Sequence, residues 1–267
     1  MRQVGIRVRP NKPMMLTVRR ASLRSAAHRP AVRRVEPTMI PSSSPFSTGW
    51  IASAPRVLWG RNSTYALVPY AALPPLPSVE LVGSLAWLPA LGAGRCPIGY
   101  DEEYGPSSLA SLPGLQAQAH RMGLAIPELL VRFVTTPALY ERIHSATGCF
   151  LEFSASIIDD PSGARGGLLR FLNDSQGCAC WYVYMTPSGD HCVLASYEWR
   201  DGPEDEAAAL DATHYFCCAP DFEHFLYRFW LEDEIWARVT RNEPLPAEQY
   251  EYLTAAIAAR HVLPPEA

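Results

Sequence analysis

The chain has no long uninterrupted hydrophobic run. Its longest apolar stretch, residues 79–93, contains Glu80 and Pro89 and is shorter than the ~20 residues that a membrane-spanning helix needs. The apolar residues 14–18 are too few for the hydrophobic region of a secretory signal peptide. We therefore expect a soluble, cytoplasmic protein that does not interact with membranes.

Sequence signatures of phosphate, metal and acyl-transfer chemistry are missing as well. There is no Walker loop, no GxGxxG followed by a suitable acid, no HExxH and no GxSxG. His144 and His224 lie in predicted helices without partners at metal-ligand spacing. His191 follows a turn, where we expect it to pack or to bond locally. We predict a protein that is not an enzyme and that needs no cofactor.

The cysteines of the chain predict neither disulfide bonds nor a metal site. Seven cysteines are an odd number in a chain too large to need disulfide bonds, which indicates a reducing compartment. Cys178 and Cys180 do not have the C-x₂-C spacing of a zinc knuckle. Cys217 and Cys218 lie beside His214, but no oxyanion-binding motif or orienting carboxylate is near them in the sequence. We predict core thiols and no metal site.

Charge divides the chain into two unlike parts. Residues 1–34 carry ten of the 23 Lys/Arg residues and none of the 27 acids, which leaves thirteen basic and 27 acidic side chains for the rest. We interpret residues 1–50 as a disordered basic segment, with a nucleic-acid-binding arm or an organelle-targeting peptide as alternatives. The acidic remainder, with a balance of −14, argues against nucleic-acid binding by the folded part and fits a basic protein partner.

Residues 51–100 combine short apolar runs with many prolines and glycines. Because Pro74, Pro75 and Pro77 interrupt any regular element, we expect only strands and loops in this segment. The sequence assigns it no role.

The order of the remaining elements predicts an α+β fold. Helices are expected over residues 108–122, after Pro127 and after Thr136, and a last one over residues 244–259. The clearest helix follows Pro220, and its buried stripe consists of Phe222, Phe225, Leu226 and Phe229. We predict an antiparallel sheet flanked by N-terminal and C-terminal helices.

The predicted sheet is centred on residues 168–199. Two turn sequences, residues 173–177 and 186–190, contain Asn, Asp, Ser, Pro and Gly, which favour tight turns. The second turn predicts a β-hairpin. The strands around the turns are rich in apolar, aromatic or β-branched residues and cover residues 168–172, 179–185 and 191–199.

This part of the chain resembles the SUKH superfamily of Smi/Knr-like domains, and the resemblance covers residues 109–239. Residues 123–133, GLAIPELLVRF, are similar to the entry of that family into its first helices. The other similar phrases are RFLND at 170–174, WYxYxTPxGxHCV at 181–193, CAPDFE at 218–223 and YRFWLE at 227–232.

The resemblance implies a SUKH-like α+β domain over residues 101–241, followed by a C-terminal helix and tail over 242–267. In bacteria the superfamily is associated with immunity proteins that neutralise toxins, often nucleases. In fungi it is associated with signalling and cell-wall regulation. We therefore expect a non-enzymatic protein-binding module that acts as an immunity protein against a basic toxin. A regulatory or scaffold protein with an endogenous partner, and an unrecognised enzyme, are the alternatives.

Two groups of polar residues are candidate contacts with a partner. Asn173, Asp174 and Gln176 form either the turn between two core strands or a polar loop presented at the end of the sheet. The second group consists of acids that we interpret as solvated and able to steer onto a basic protein: Glu204, Asp205, Glu206, Glu232, Asp233 and Glu234.

Overall fold

A mixed sheet of eight strands forms the centre of the computed structural model, which describes residues 44–53, 55–100, 105–201 and 211–262. The strands follow the order β2-β1-β8-β7-β6-β5-β3, and β4 also pairs with β5. All pairs are antiparallel except β1 with β8. The strands are β1 (Ser47–Ala52), β2 (Ala66–Pro69), β3 (Phe150–Leu151), β4 (Ile158–Asp159), β5 (Gly167–Asn173), β6 (Cys180–Met185), β7 (His191–Ser196) and β8 (Tyr215–Ala219).

The predicted hairpin between β6 and β7 is confirmed. Its turn is closed by Thr186 and Asp190, and Gly189 has a φ of 87°, which glycine adopts without strain. Tyr184 pairs with Cys192 across the two strands. The second strand ends at Ser196 rather than at residue 199, so Tyr197 and its successors leave the sheet.

Helices cover one face of the sheet. The longest helix, α4, begins after Asp221, whose side chain accepts a hydrogen bond from the backbone N–H of His224 and so caps it. Phe222 packs edge-on against Phe171, and Phe229 packs in the same way against Trp181. The helices are α1 (Gly105–Arg121), α2 (Glu128–Val134), α3 (Pro137–Tyr140), α4 (Phe222–Thr240) and α5 (Ala247–Ala259).

The opposite face of the sheet buries a second apolar cluster, and among the described residues none of the helices α1 to α5 contributes to it. Since side chains alternate along a strand, this cluster takes the residues of β5 to β8 that point away from α4. It consists of Phe46, Ile158, Leu168, Cys180, Tyr182, Tyr184, Cys192, Leu194, Tyr215 and Cys217. We call this face the helix-free face.

Residues 47–100 contribute to the same core as the segment that resembles SUKH domains. The parallel strand β1 lies beside β8, with Ser47 opposite Phe216, and it buries Trp50 completely. β2 lies in this segment, which was expected to hold only strands and loops but also contains two short helical turns, Pro55–Trp59 and Tyr70–Ala72. From the loop that follows, the backbone N–H groups of Gly83 and Leu85 donate to the buried carboxylate of Glu223 in α4. The proline-rich segment is therefore part of the sheet and of its helical layer.

The α+β class predicted from the sequence is confirmed, although the sheet is mixed rather than wholly antiparallel because β1 joins β8 in parallel. Across the described parts of the chain, no helix combines the length and the apolar character needed to cross a membrane.

Candidate functional site

The acids of α4 are not solvated, and their prediction as a surface patch is wrong. Glu232 is completely buried and accepts hydrogen bonds from Trp50 Nε1 and from Tyr252 Oη, both at 2.8 Å. It therefore ties α4 to β1 on one side and to α5 on the other. Burial raises the pKa of this carboxyl group above its ordinary value.

Asp233 and Glu234 are also interior groups. Asp233 is fully buried and accepts from Ser53 Oγ at 2.8 Å and from the backbone N–H of Ala146 at 2.6 Å. Glu234 pairs with Arg95 at 3.3 Å and with Arg238 at 2.7 Å. Together the three acids fasten loops and neighbouring elements to α4, so they are unavailable to a partner.

The helical period of the sequence already contained the signal for this burial. Phe225 and Phe229 belong to the apolar stripe, and positions 232 and 233 lie three and four residues after Phe229 on the same face. The charge of the residues led to the wrong placement. A buried carboxylate is tolerated where donors surround it, and here Trp50, Ser53, Tyr252 and a backbone N–H are those donors.

Asn173 and Asp174 build the turn between β5 and β6, which is the structural alternative considered for them. Asp174 Oδ2 accepts the backbone N–H groups of Gln176 and Cys178, both at 3.1 Å, and Oδ1 accepts the hydroxyl of Tyr65 at 2.8 Å. Asn173 Oδ1 accepts from Arg170 at 3.1 Å. Both residues are buried. Gln176 is exposed at the tip of the turn.

The remaining predicted acids, Glu204, Asp205 and Glu206, lie outside the described residues.

Several chain segments meet at one end of the sheet. Asn173 of β5 pairs with Cys180 of β6, Cys180 pairs with Ser196 of β7, and Ser196 pairs with Tyr215 of β8. The turn at residues 174–178, the segment at residues 197–201 and the short turn that precedes β8 therefore emerge side by side. Polar and aromatic side chains that are far apart in the sequence are brought together here.

Residues 197–201 are fixed to the helix-free face by hydrogen bonds. The hydroxyl of Tyr182 donates to the carbonyl of Glu198 at 2.9 Å and accepts the backbone N–H of Arg200 at 3.0 Å. The Sγ of Cys180 lies 3.0 Å from the same carbonyl of Glu198. The segment is therefore held against the sheet by its own backbone.

Arg170 adds a charged anchor beneath this segment. Its guanidinium group lies 3.6 Å from the ring centroid of Trp199, donates to Asp201 Oδ1 at 2.6 Å and lies 3.6 Å from a carboxylate oxygen of Glu152. The side chain of Arg170 is only 1% exposed. A guanidinium that stacks on an aromatic ring and bonds a carboxylate in its plane fixes both partners.

Large side chains remain exposed above these anchors. Tyr197 is 44% and Trp199 is 40% exposed, although Tyr197 also packs edge-on against Phe216. Carboxylates and a histidine surround them, and Glu198 Oε1 lies 3.4 Å from His214 Nδ1. We call this region the sheet-end surface and define it by Gln176, Tyr197, Glu198, Trp199, Asp201 and His214.

A concave feature lies elsewhere on the molecule. A shallow groove of about 440 Å³ runs between the loop before α1 and the end of α3, and its walls include Pro97, Tyr100 and Tyr140. The hydroxyl of Tyr100 is already used by the carbonyl of Val134 at 3.0 Å. The groove therefore offers fewer polar groups that could bind a partner than the sheet-end surface does.

The described part of the chain assembles no metal site, and burial makes the thiols of Cys149 and Cys180 inert. No group of three or more His, Cys, Asp or Glu side chains there is arranged to hold a metal ion. Burial raises the pKa of Cys149 to about 12 and that of Cys180 to about 11, which keeps both thiols protonated and unreactive. His191 Nε2 accepts the backbone N–H of Phe222 at 3.4 Å, so it links β7 to the start of α4 instead of bonding within its own turn.

Sequence reasoning missed Tyr197, Trp199 and Arg170 as members of a site. Tyr197 and Trp199 fall in the last predicted strand, residues 191–199, and Arg170 falls in the predicted strand at residues 168–172. The charged run that begins at Glu198 was the available signal that the strand ends earlier. Comparisons of the chain with protein-family models, with curated proteins and with solved structures gave no match.

Proposed function

We propose that the protein is a non-enzymatic protein-binding module of the SUKH type that acts as an immunity protein and neutralises a basic toxin through the sheet-end surface. The observation that carries the proposal is the exposure of Tyr197 and Trp199 among carboxylates at one end of the sheet. The resemblance of residues 109–239 to the SUKH superfamily supplies the expected class of partner.

Exposed aromatic rings suit this role because Trp and Tyr contribute most of the binding energy at many protein interfaces. Their rigid rings bury a large area and lose little conformational freedom. Trp199 is held by Arg170 and Tyr197 by Phe216. A partner would therefore meet rings that already have fixed positions, which lowers the entropic cost of binding.

The charges of this end favour a basic partner. Its described charged groups, apart from His214, include the guanidinium groups of Arg170 and Arg200 and five carboxylates, of which that of Asp174 is buried: Glu152, Asp174, Glu198, Asp201 and Asp211. The side chain of Arg170 is 1% exposed and that of Arg200 is 12% exposed, whereas that of Asp201 is 53% exposed. The accessible charge is thus negative, and complementary charge accelerates and orients association.

The test is affinity capture from native lysate with the full chain as bait. Tyr197→Ala combined with Trp199→Ala removes both rings, and Tyr250→Ala, at an exposed aromatic of α5, is the matched control. We expect a basic, toxin-like protein to be retained by the wild type and by the control but not by the double variant. The complex should weaken when salt is raised, because the Debye length falls below about 10 Å above 0.1 M.

Retention of that protein by the double variant at wild-type levels would contradict the use of this surface. Recovery of signalling or cell-envelope proteins instead would favour the regulatory alternative, in which the basic residues 1–34 form a regulated arm. A deletion that tests this arm must end at residue 43, because β1 begins at Ser47 and Trp50 belongs to the core.

A further inference from the structure

We propose that the outer face of Trp199, together with the carboxylates of Glu198 and Asp201, receives an arginine side chain of the protein partner. This inference rests on the proposed function and names the residue type that the sheet-end surface recognises. The observation that supports it is the contact that the Trp199 ring already makes with Arg170.

The inner face of Trp199 binds a guanidinium group within the chain. The Arg170 guanidinium carbon lies 3.6 Å from the ring centroid, and Asp201 Oδ1 accepts from the same group at 2.6 Å. Residues 197–201 thus place an indole and a carboxylate at the spacing that a guanidinium needs for stacking and for hydrogen bonding together.

The outer side of this arrangement is open to solvent. Trp199 keeps 40% of its surface exposed although Arg170 covers one face, and the side chain of Asp201 is 53% exposed. Tyr197, two residues earlier in the chain, offers a second ring with 44% of its surface exposed. A flat cation that stacks on the outer face of Trp199 would therefore lie beside an accessible carboxylate.

The charges that face this position favour a cation. The positive charge of Arg170 is balanced by Asp201 and by Glu152, whose Oε2 lies 3.6 Å from the guanidinium. Arg200 pairs with Glu198 at 2.9 Å, and Asp211 is exposed in the turn that precedes β8. An incoming cation therefore meets a surface whose accessible groups, among the described residues, are mainly acidic, with the His214 imidazole beside Glu198.

Arginine fits this position better than lysine. Its guanidinium group is planar, weakly hydrated and always charged, so it stacks on an indole and bonds a carboxylate without losing a tightly bound water shell. An ammonium group is a strongly hydrated point charge without a face that stacks. Charge alone would draw both residues to the surface, whereas the ring discriminates between them.

The test uses three short peptides that differ at one central position, which is arginine, lysine or citrulline, the uncharged isostere of arginine. Each is titrated into the ¹⁵N-labelled full chain, and the indole N–H signal of Trp199 is followed among those of the seven tryptophans. Trp199→Phe assigns this signal. We expect the arginine peptide to bind about tenfold more tightly than the lysine peptide, within the range of desolvated cation–π contacts, and the citrulline peptide to bind most weakly.

Variants distinguish the contribution of the Trp199 ring from that of the acidic groups around it. Trp199→Ala should abolish the preference for arginine over lysine, and Trp199→Phe should reduce it because phenylalanine is the weaker cation–π partner. Tyr250→Ala should retain the full preference. If Trp199→Ala does not fold, as judged by its thermal unfolding, Trp199→Phe still tests the proposal by following a peptide signal instead of the indole.

Equal affinities for the arginine and lysine peptides, or a Trp199 signal that does not respond to them, would overturn the inference. If a basic partner is captured through the sheet-end surface while the peptides show no preference, the proposed function stands and this inference fails. A preference for arginine that depends on Trp199, without any captured partner, would support the inference and count against the proposed function.

Discussion

The buried carboxylate of Asp233 should make the stability of the protein depend on pH in an unusual direction. Asp233 accepts from Ser53 Oγ and from the backbone N–H of Ala146 but has no cation beside it, and burial raises its pKa from 3.8 to about 7. At pH values between 3.8 and about 7 the folded state therefore binds more protons at this group than the unfolded state does. The free energy of unfolding contributed by this group therefore falls as the pH rises from about 4 to about 7.

The size of the effect follows from the shift. One pKa unit corresponds to about 1.36 kcal/mol, so the rise from 3.8 to about 7 corresponds to about 4 kcal/mol once the group is ionised. Asp233→Asn keeps the geometry without the charge, because its oxygen can accept from Ala146 while its amide donates to Ser53. The variant should match the wild type near pH 4 and exceed its stability by a few kcal/mol near pH 8.

The assay is urea unfolding of both proteins across this pH range, with the difference between their free energies as the observable. His144 and His191 oppose the trend of the wild type, because burial lowers their pKa and their contribution to stability falls at low pH. Their contribution cancels in the difference. Glu248→Gln, at an exposed carboxylate of α5, controls for the loss of one charge. A difference that does not change with pH would refute the reasoning.

Three further predictions concern packing and thiols. Tyr252→Phe removes the hydroxyl that links an arginine and a carboxylate beneath α5 and should lower the free energy of unfolding by about 1–3 kcal/mol in urea titrations. Gly166→Ala should lower the free energy of unfolding by about 1–3 kcal/mol, measured by thermal unfolding. The reason is that a Cβ at this position would come within 2.6 Å of the Tyr184 hydroxyl. A variant as stable as the wild type would contradict this packing. Alkylation of the native protein, read by mass spectrometry, should modify only Cys96 and Cys178.

Local sequence patterns predicted the centre of the fold. The hairpin turn set the register of β6 and β7, and the phenylalanine stripe of α4 identified the face that packs on the sheet. β1 was beyond such reasoning, because its pairing with β8 joins residues far apart in the sequence. Trp50 stands next to proline-rich sequence that offers no local signal for a buried strand.

The candidate site was harder to predict than the fold. Gln176 was proposed as a contact at the end of the sheet, and it is exposed there. The acids of α4 were misplaced because charge was taken to mean exposure, whereas the donors that satisfy them come from β1, α5 and a loop. The ring of Trp199 stacks on Arg170, and no periodicity in the sequence reveals that contact.

The position of β1 also has a consequence for synthesis on the ribosome. Trp50 lies 182 residues before the glutamate that accepts its indole N–H, and at about 5–20 residues per second the ribosome needs about 10–40 s to make that interval. During this time β1 has neither its parallel neighbour nor the acid that completes its burial. β2 can pair with one edge of β1 early, but the other edge stays open until β8 is made. A nascent chain with an open hydrophobic strand edge for that long is a substrate for chaperones, so the yield in cells should depend on chaperone supply and on the speed of translation.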